Sequence, residues 1–310
     1  MGTEIEKYLA DQFPLRDGWI TVKTLAERLS GKTETAGVYF GKGGYQIDAF
    51  TDYDRERFSA NLEALLRLSK TLEARDVPMQ VMLVPTAVQI LADKLPTFAP
   101  RLDQRGLLEE AKARGLCTVD VFDILSEHRD EYIYYKTDHH FTSLGAYYCY
   151  AAWMQAQGRT VQPLSAWQSQ VPCDTFRGTT YNKVNDPFAA YDTITAYYKT
   201  LTHTVSYNGG NYVTDSIYER KYLSGKDPYA AFLNSNQSTT VVSGGGEGKL
   251  LILKDSYANC FAQFVVDGYA ETHLIDLRFF RGSVSDYVAQ NGITQVLYNI
   301  PNFASDTSIR

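Results

Sequence analysis

The sequence contains no CxxC pair, no apolar run long enough to span a bilayer and no surplus of positive charge. Each absence removes a class of function. The four cysteines, Cys117, Cys149, Cys173 and Cys260, lack the spacing of a zinc knuckle, and their separations neither require nor exclude disulfides. A transmembrane helix needs about 20 consecutive apolar residues, which no stretch supplies. A formal net charge of −6 and a pI near 5.4 give no general attraction to phosphate backbones, so nucleic acid is not expected as a partner. Histidine is scarce, with five in 310 residues, yet two stand side by side in KTDHHFTS, Lys136 to Ser143. What abounds is tyrosine, at 23 residues, whose flat apolar face and polar tip suit packing as well as carbohydrate surfaces.

An apolar fraction of 44% over 310 residues can bury a sizeable core. Residues 3–30 carry a helical pattern broken by FPLRD, where Pro14 ends one helix and Asp17 begins the next. No signal peptide precedes it, as expected of a cytosolic protein or of one relieved of an export segment. GVYFGKGGYQIDAF alternates apolar residues around a Gly-Gly turn, a hairpin signal. RERFSANLEALLRLSKTLEAR predicts an amphipathic helix and QVMLVP a buried strand. LLEEAKARG and LCTVDVFDIL repeat the helix–strand alternation, so the class is α/β. DHHFTSLGAYYCYAAWMQAQG reads as a loop opening into a helix, with Thr142 or Ser143 as its cap. From about 161 to 248 the texture turns to Tyr, Thr, Asn and Ser with short-strand periodicity. This predicts a β- and loop-rich insertion within a single domain, 1–310, because the α/β pattern resumes afterwards.

It resumes with KLLILK, a strand, and YANCFAQFVV, a helix, joined at Asp255-Ser256. A serine on a sharp strand-to-helix connection is where nucleophiles sit in α/β hydrolases, and the helix start offers N–H groups to an oxyanion. Taken alone, Ser256 reads equally well as a helix cap. Two further strands end near Asp276–Arg278 and Tyr298–Asn302, so Arg278, Asn299 and Asn302 are candidates for the same crevice. A serine hydroxyl needs a base, and that base is best held by a carboxylate. Asp138 and His140 supply both from one short segment, while His139, between them, should point elsewhere. The remaining histidines, His128, His203 and His273, have no ligand-like spacing, so a nucleophilic triad is favoured over a metal site.

TDHHFTSLGAYY resembles the signature of the DHHW protein family, with Phe141 where that name has tryptophan, and LLILKDSYANCF is similar to its nucleophile block. FPLRDGWITVKT, GVYFGKGGY, DPYAAFLNSN, HLIDLRFF and VLYNIPNF resemble its other recurring blocks, so the likeness runs along essentially the whole chain. That family is similar to the SGNH-like O-acetyltransferases that modify alginate and other exopolysaccharides. The resemblance implies an SGNH-hydrolase-like three-layer fold with a mostly parallel sheet, in which the acid–base motif precedes the serine, a permuted order. It puts the nucleophile on Ser256, the base on His140 and the orienting acid on Asp138. It assigns oxyanion or substrate contacts to Tyr257, Arg278 and Asn299. The usual Gly-Asp-Ser reads Lys254-Asp255-Ser256 here, and no Gly-x-Asn-Asp block is present. The resemblance also implies an N-terminal membrane anchor, work on the cell surface, and a membrane-bound acyltransferase partner that passes acetyl groups outward.

The expected function is a serine-dependent O-acetyltransferase or acetylesterase acting on an extracellular polysaccharide, with neither metal nor other cofactor. The alternative, from a different class, is a catalytically degenerate carbohydrate-binding or scaffold protein in which the tyrosine-rich insertion binds the polymer.

Overall fold

The protein, represented by a computed structural model, is described over residues 16–199, 202–299 and 309. The helix expected ahead of Pro14 and the candidate Asn302 lie outside the described residues. Helix α1, Arg16–Leu29, carries Asp17 in its first turn and Arg28 in its last, each complementing the helix dipole. Strands β1 (Glu34–Thr35), β2 (Val38–Phe40) and β3 (Gln46–Asp48) form a small antiparallel sheet. The β2–β3 turn requires glycine, since Gly43 and Gly44 take φ of 71° and 81°.

Helix α2, Arg55–Glu73, starts where Asp54 accepts the Arg57 N–H, and it buries Phe58, Leu62, Leu65 and Leu72. Strand β4, Met79–Met82, is followed by α3 (Ala87–Ile90), α4 (Gln104–Ala113) and α5 (Phe122–Glu127). The strand expected in LCTVDVFDIL shrinks to one parallel bridge from Thr118 to Val81. Asp120 ends it by accepting the Phe122 N–H at 3.0 Å, which turns the chain into α5. Helix α6, Ser143–Ala156, is capped by Thr142.

The predicted insertion is built into the architecture. Strands β5 (Gln168–Phe176) and β6 (Asp192–Tyr198) pair with each other around helix α7, Thr179–Val184. Strands β7 (Val205–Tyr207), β8 (Tyr212–Thr214) and β9 (Thr239–Ser243) extend the main sheet in antiparallel fashion. The chain then runs through β10 (Lys249–Lys254), α8 (Tyr257–Val265), β11 (Glu271–Asp276), α9 (Val284–Asn291) and β12 (Gln295–Asn299).

The main sheet has the order β4-β12-β10-β11-β9-β7-β8, and its first four strands are parallel. Helices cover both faces, so β10 is buried on both sides, from Leu250 to Leu253, and its sequence is continuously apolar. On one face Trp153 of α6 donates to Gln80 of β4 at 2.9 Å; on the other His273 of β11 meets Tyr287 of α9. Numbered from β10, the parallel strands and the Thr118 bridge stand in the order 2-1-3-4-5. Strand β10 is therefore where the winding reverses, and the crevice beyond its carboxyl end is where such sheets bind ligands. Ser256 lies at that end. Among the described residues, no helix is long and apolar enough to cross a membrane.

Candidate active site

The KTDHH loop is shaped by an aspartate that lies far along the chain. Buried Asp192, at the start of β6, accepts the backbone N–H groups of Lys136 and Thr137 at 2.8 and 2.7 Å and the Thr137 hydroxyl at 2.6 Å. The loop closes where the Tyr135 N–H donates to the His140 carbonyl and the Thr142 N–H to the Ile133 carbonyl. Asp138 and His140 are thereby held in the interior, almost fully buried.

Asp138 uses both of its oxygens. Oδ1 accepts the His140 backbone N–H at 2.9 Å and meets His140 Nδ1 at 2.5 Å. Oδ2 accepts the Thr179 N–H at 2.8 Å and the Thr179 hydroxyl at 3.0 Å. Burial works to raise this carboxyl's pKa. The charge and hydrogen bond of His140 and the Thr179 N–H outweigh it and hold Asp138 well below the usual carboxylate range. An ionised Asp138 fixes the proton of His140 on Nδ1 and leaves Nε2 bare. Nε2 lies 2.7 Å from Ser256 Oγ.

Ser256 occupies the cap position of α8, but its hydroxyl makes no capping bond. Asp255 does that work, accepting the Tyr257 N–H at 2.9 Å, and burial raises the Asp255 pKa to about 6. The Ser256 hydroxyl is left to His140. Tyr229, which the sequence reading did not single out, locks the pair from above. Its ring stacks on His140 with centroids 3.9 Å apart, and its hydroxyl donates to the Ser256 carbonyl at 3.0 Å. The only trace of it in the sequence is its place in the DPYAAFLNSN block.

Gly178 closes the other side of Asp138. A Cβ at this position would sit 2.2 Å from Asp138 Oδ2 and 2.3 Å from its Cβ. Gly178→Ala must therefore displace the carboxylate. Since a misplacement of about 1 Å can cost a hundredfold in rate, labelling of Ser256 by a serine-reactive fluorophosphonate is expected to slow at least tenfold while circular dichroism shows a folded protein.

Among the other residues expected in the crevice, Tyr257 has its N–H engaged by Asp255, and its hydroxyl donates to the His139 carbonyl. Arg278 grips buried Asp276 through Nε and Nη2 at 2.8 and 2.6 Å, and is half-exposed. Asn299 is fully buried in register with Lys254, and neither end of its amide has a hydrogen-bond partner among the described residues. Lys254 itself is buried, which lowers its pKa to about 8, and it lies between Asn236 and Asp276. This polar layer underpins the strand ends beneath Ser256. All four cysteines are free.

The ligand atoms of Asp138, His139 and His140 lie within 4.8 Å of one another, close enough to consider a metal. Both Asp138 oxygens, both His140 nitrogens and His139 Nδ1 are already hydrogen-bonded, which leaves a single uncommitted donor, His139 Nε2. A cation would have to dismantle the Asp138–His140–Ser256 line to gain a second ligand.

The model of the DHHW protein family matches residues 23–275. A DHHW family protein from Eubacterium siraeum has 26% identity and a TM-score of 0.75, over 89% of this chain and 94% of that one. PatB1 of Bacillus cereus superposes at a TM-score of 0.73 with 19% identity, over 86% of this chain and 98% of its own. The O-acetyltransferase domain of Pseudomonas putida AlgJ gives 0.58 with 13% identity, over 88% and 94%. The last two likenesses are of fold alone. No curated protein matches the chain in sequence.

Proposed function

The chain belongs to the DHHW protein family, and from that premise we propose that it is a serine-dependent O-acetyltransferase or acetylesterase acting on an extracellular polysaccharide through an acyl-enzyme. The observation that carries this reading is the unbroken line from Asp138 through His140 to Ser256 Oγ at the sheet's switch point. Fold likeness to the O-acetyltransferase domain of AlgJ supports it. The strand order around β10, with DHH ahead of the serine, supports an SGNH-hydrolase-like three-layer domain of permuted motif order. The pairing of β9 with β11, and of β7 with β9, supports a single domain, the 161–248 segment included.

His140 Nε2 takes the Ser256 proton as Oγ attacks the acetyl carbonyl, and the imidazolium is stabilised by Asp138. The tetrahedral oxyanion forms next to the Ser256 N–H, at the positive end of α8. Collapse breaks the bond to the donor's leaving oxygen, which takes the proton from His140. A sugar hydroxyl, or water, then gives its proton to His140 and attacks the acetyl group, and as the second tetrahedral adduct collapses Ser256 Oγ leaves and takes that proton from His140. A non-catalytic polymer-binding protein would have no use for the His140–Ser256 contact. The export reading is part of the same proposal: N-terminal anchorage, cell-surface location and a membrane-bound acyltransferase that supplies acetyl groups.

A fluorophosphonate probe tests the nucleophile directly. Mass spectrometry of peptides should place one adduct on Ser256, and prior treatment with phenylmethylsulfonyl fluoride should block it. A protein that stays unlabelled, or is labelled elsewhere, would remove the acyl-enzyme reading.

A further inference from the structure

Asp138 reaches both histidines, by different routes. Oδ1 holds His140 directly, and Oδ2 accepts the Thr179 hydroxyl. A carboxylate can only accept, so the Thr179 proton points at Asp138. Thr179 Oγ1 then meets His139 Nδ1 at 2.5 Å with lone pairs alone to offer, and His139 must donate from Nδ1. Burial and the neighbouring His140 charge push the His139 pKa well below the ordinary imidazole value, against the pull of Asp138, so the ring is neutral. A neutral ring protonated on Nδ1 is bare on Nε2. The two adjacent imidazoles thus share one tautomer, set by opposite oxygens of one carboxylate.

Their bare nitrogens face different things. That of His140 meets Ser256, whereas that of His139 has no hydrogen-bond partner among the described residues. The His139 side chain is 29% exposed and lines a cleft of about 350 Å³ beside the triad, with Asp48, Phe50, Thr86, Lys183 and Tyr257. Lys183, the cation of this wall, is already paired with Asp48 at 2.7 Å. The cleft thus meets a ligand with acceptors, an apolar ring and a neutralised ion pair.

Resting on the acyl-transfer reading above, we propose that His139 is a positioning residue for the acetyl acceptor, its Nε2 accepting a hydrogen bond from a hydroxyl of a neutral sugar seated in this cleft. The hydroxyl it holds is not the one that is acetylated; that one faces His140. A uronate carboxylate in the same place would set lone pair against lone pair, and Lys183, the cation lining the cleft among the described residues, is already paired with Asp48. The acceptor is therefore a neutral, hydroxyl-rich saccharide.

Two substitutions separate the nitrogens. The asparagine amide reaches the position of Nδ1, keeping the bond to Thr179 and deleting Nε2. The glutamine amide reaches the position of Nε2 and can present an oxygen there. With p-nitrophenyl acetate as donor, p-nitrophenol reports total turnover and acetylated saccharide reports transfer. Wild type should acetylate cellopentaose in preference to oligomannuronate. His139→Asn should lower the transfer-to-hydrolysis ratio on cellopentaose about tenfold, the loss of one hydrogen bond, and His139→Gln should retain part of it. An unchanged ratio in His139→Asn, a preference for the uronate, or no transfer by an enzyme that releases p-nitrophenol would each overturn the proposal. Absence of p-nitrophenol from wild type would instead sink the acyl-transfer reading. A ¹⁵N spectrum of the imidazoles tests the premise independently of turnover: His139 protonated on Nδ1 supports a bare Nε2, and His139 protonated on Nε2 or on both nitrogens ends the proposal.

Discussion

Ser256→Ala and His140→Ala are each expected to lower the turnover of p-nitrophenyl acetate by about a thousandfold or more, and the double variant should lose little beyond either single one. The reason is the single hydrogen bond of 2.7 Å between them. Without the hydroxyl there is no acyl-enzyme, and without Nε2 the hydroxyl keeps its proton, so each change removes the same step. Stability should respond less evenly. Ser256→Ala deletes an oxygen that caps nothing, whereas His140→Ala empties the space beneath the Tyr229 ring. His140→Ala should therefore show the lower melting temperature of the two, although both are expected to be inactive. Multiplicative losses in the double variant, or a single variant near the wild-type rate, would mean that the two residues do not act as a unit.

The parts of this site that were legible in the sequence are those whose neighbours in space are neighbours in the chain. Strand β10 announces itself by a continuous apolar run because it is buried on both faces, and the switch to helical periodicity puts Ser256 at the junction. Asp138 and His140 are two residues apart, so a single turn of loop brings carboxylate to imidazole. What holds that loop is invisible to any local pattern. Asp192, Gly178 and Thr179 come from 40 to 55 positions away, and Tyr229 lies still further along the chain. An isolated aspartate in a tyrosine-rich stretch carries no sign that its carboxylate will face two distant N–H groups. Strand-end reasoning placed Arg278 and Asn299 at the right edge of the sheet, yet it says nothing of partners: Arg278 holds Asp276, and Asn299 is fully buried in register with Lys254. In LCTVDVFDIL the alternation is real, but Asp120 uses its side chain to start α5, and a short-range hydrogen bond overrides the strand pattern.

Asp138→Asn is the most informative change, because four donors converge on this carboxylate. The His140 N–H and Nδ1–H face Oδ1, and the Thr179 N–H and hydroxyl face Oδ2. Asparagine has one acceptor oxygen and must turn its NH₂ toward one of these pairs. Turned toward His140, it confronts a backbone N–H that cannot move and drives the imidazole into the wrong tautomer, with Nδ1 bare and the proton aimed at Ser256. Turned toward Thr179, it confronts another fixed N–H and forces the hydroxyl proton round toward His139, which reverses that ring's tautomer, while His140 keeps its own and loses only the charge that stabilises its imidazolium. In the first orientation kcat for acetyl transfer should fall by roughly three to four orders of magnitude and in the second by less, with the fold retained in both. Stability gives an independent check. The carboxylate's pKa is depressed in the folded protein, so its contribution is present above the unfolded value of about 4 and is lost as pH falls through the folded value. The variant lacks that contribution at every pH. The melting-temperature gap between wild type and Asp138→Asn should therefore be widest near neutrality and should narrow as the pH is lowered below about 4. A gap that is constant with pH would show that Asp138 is not held ionised by its four donors, and the tautomers of both histidines would lose their common cause.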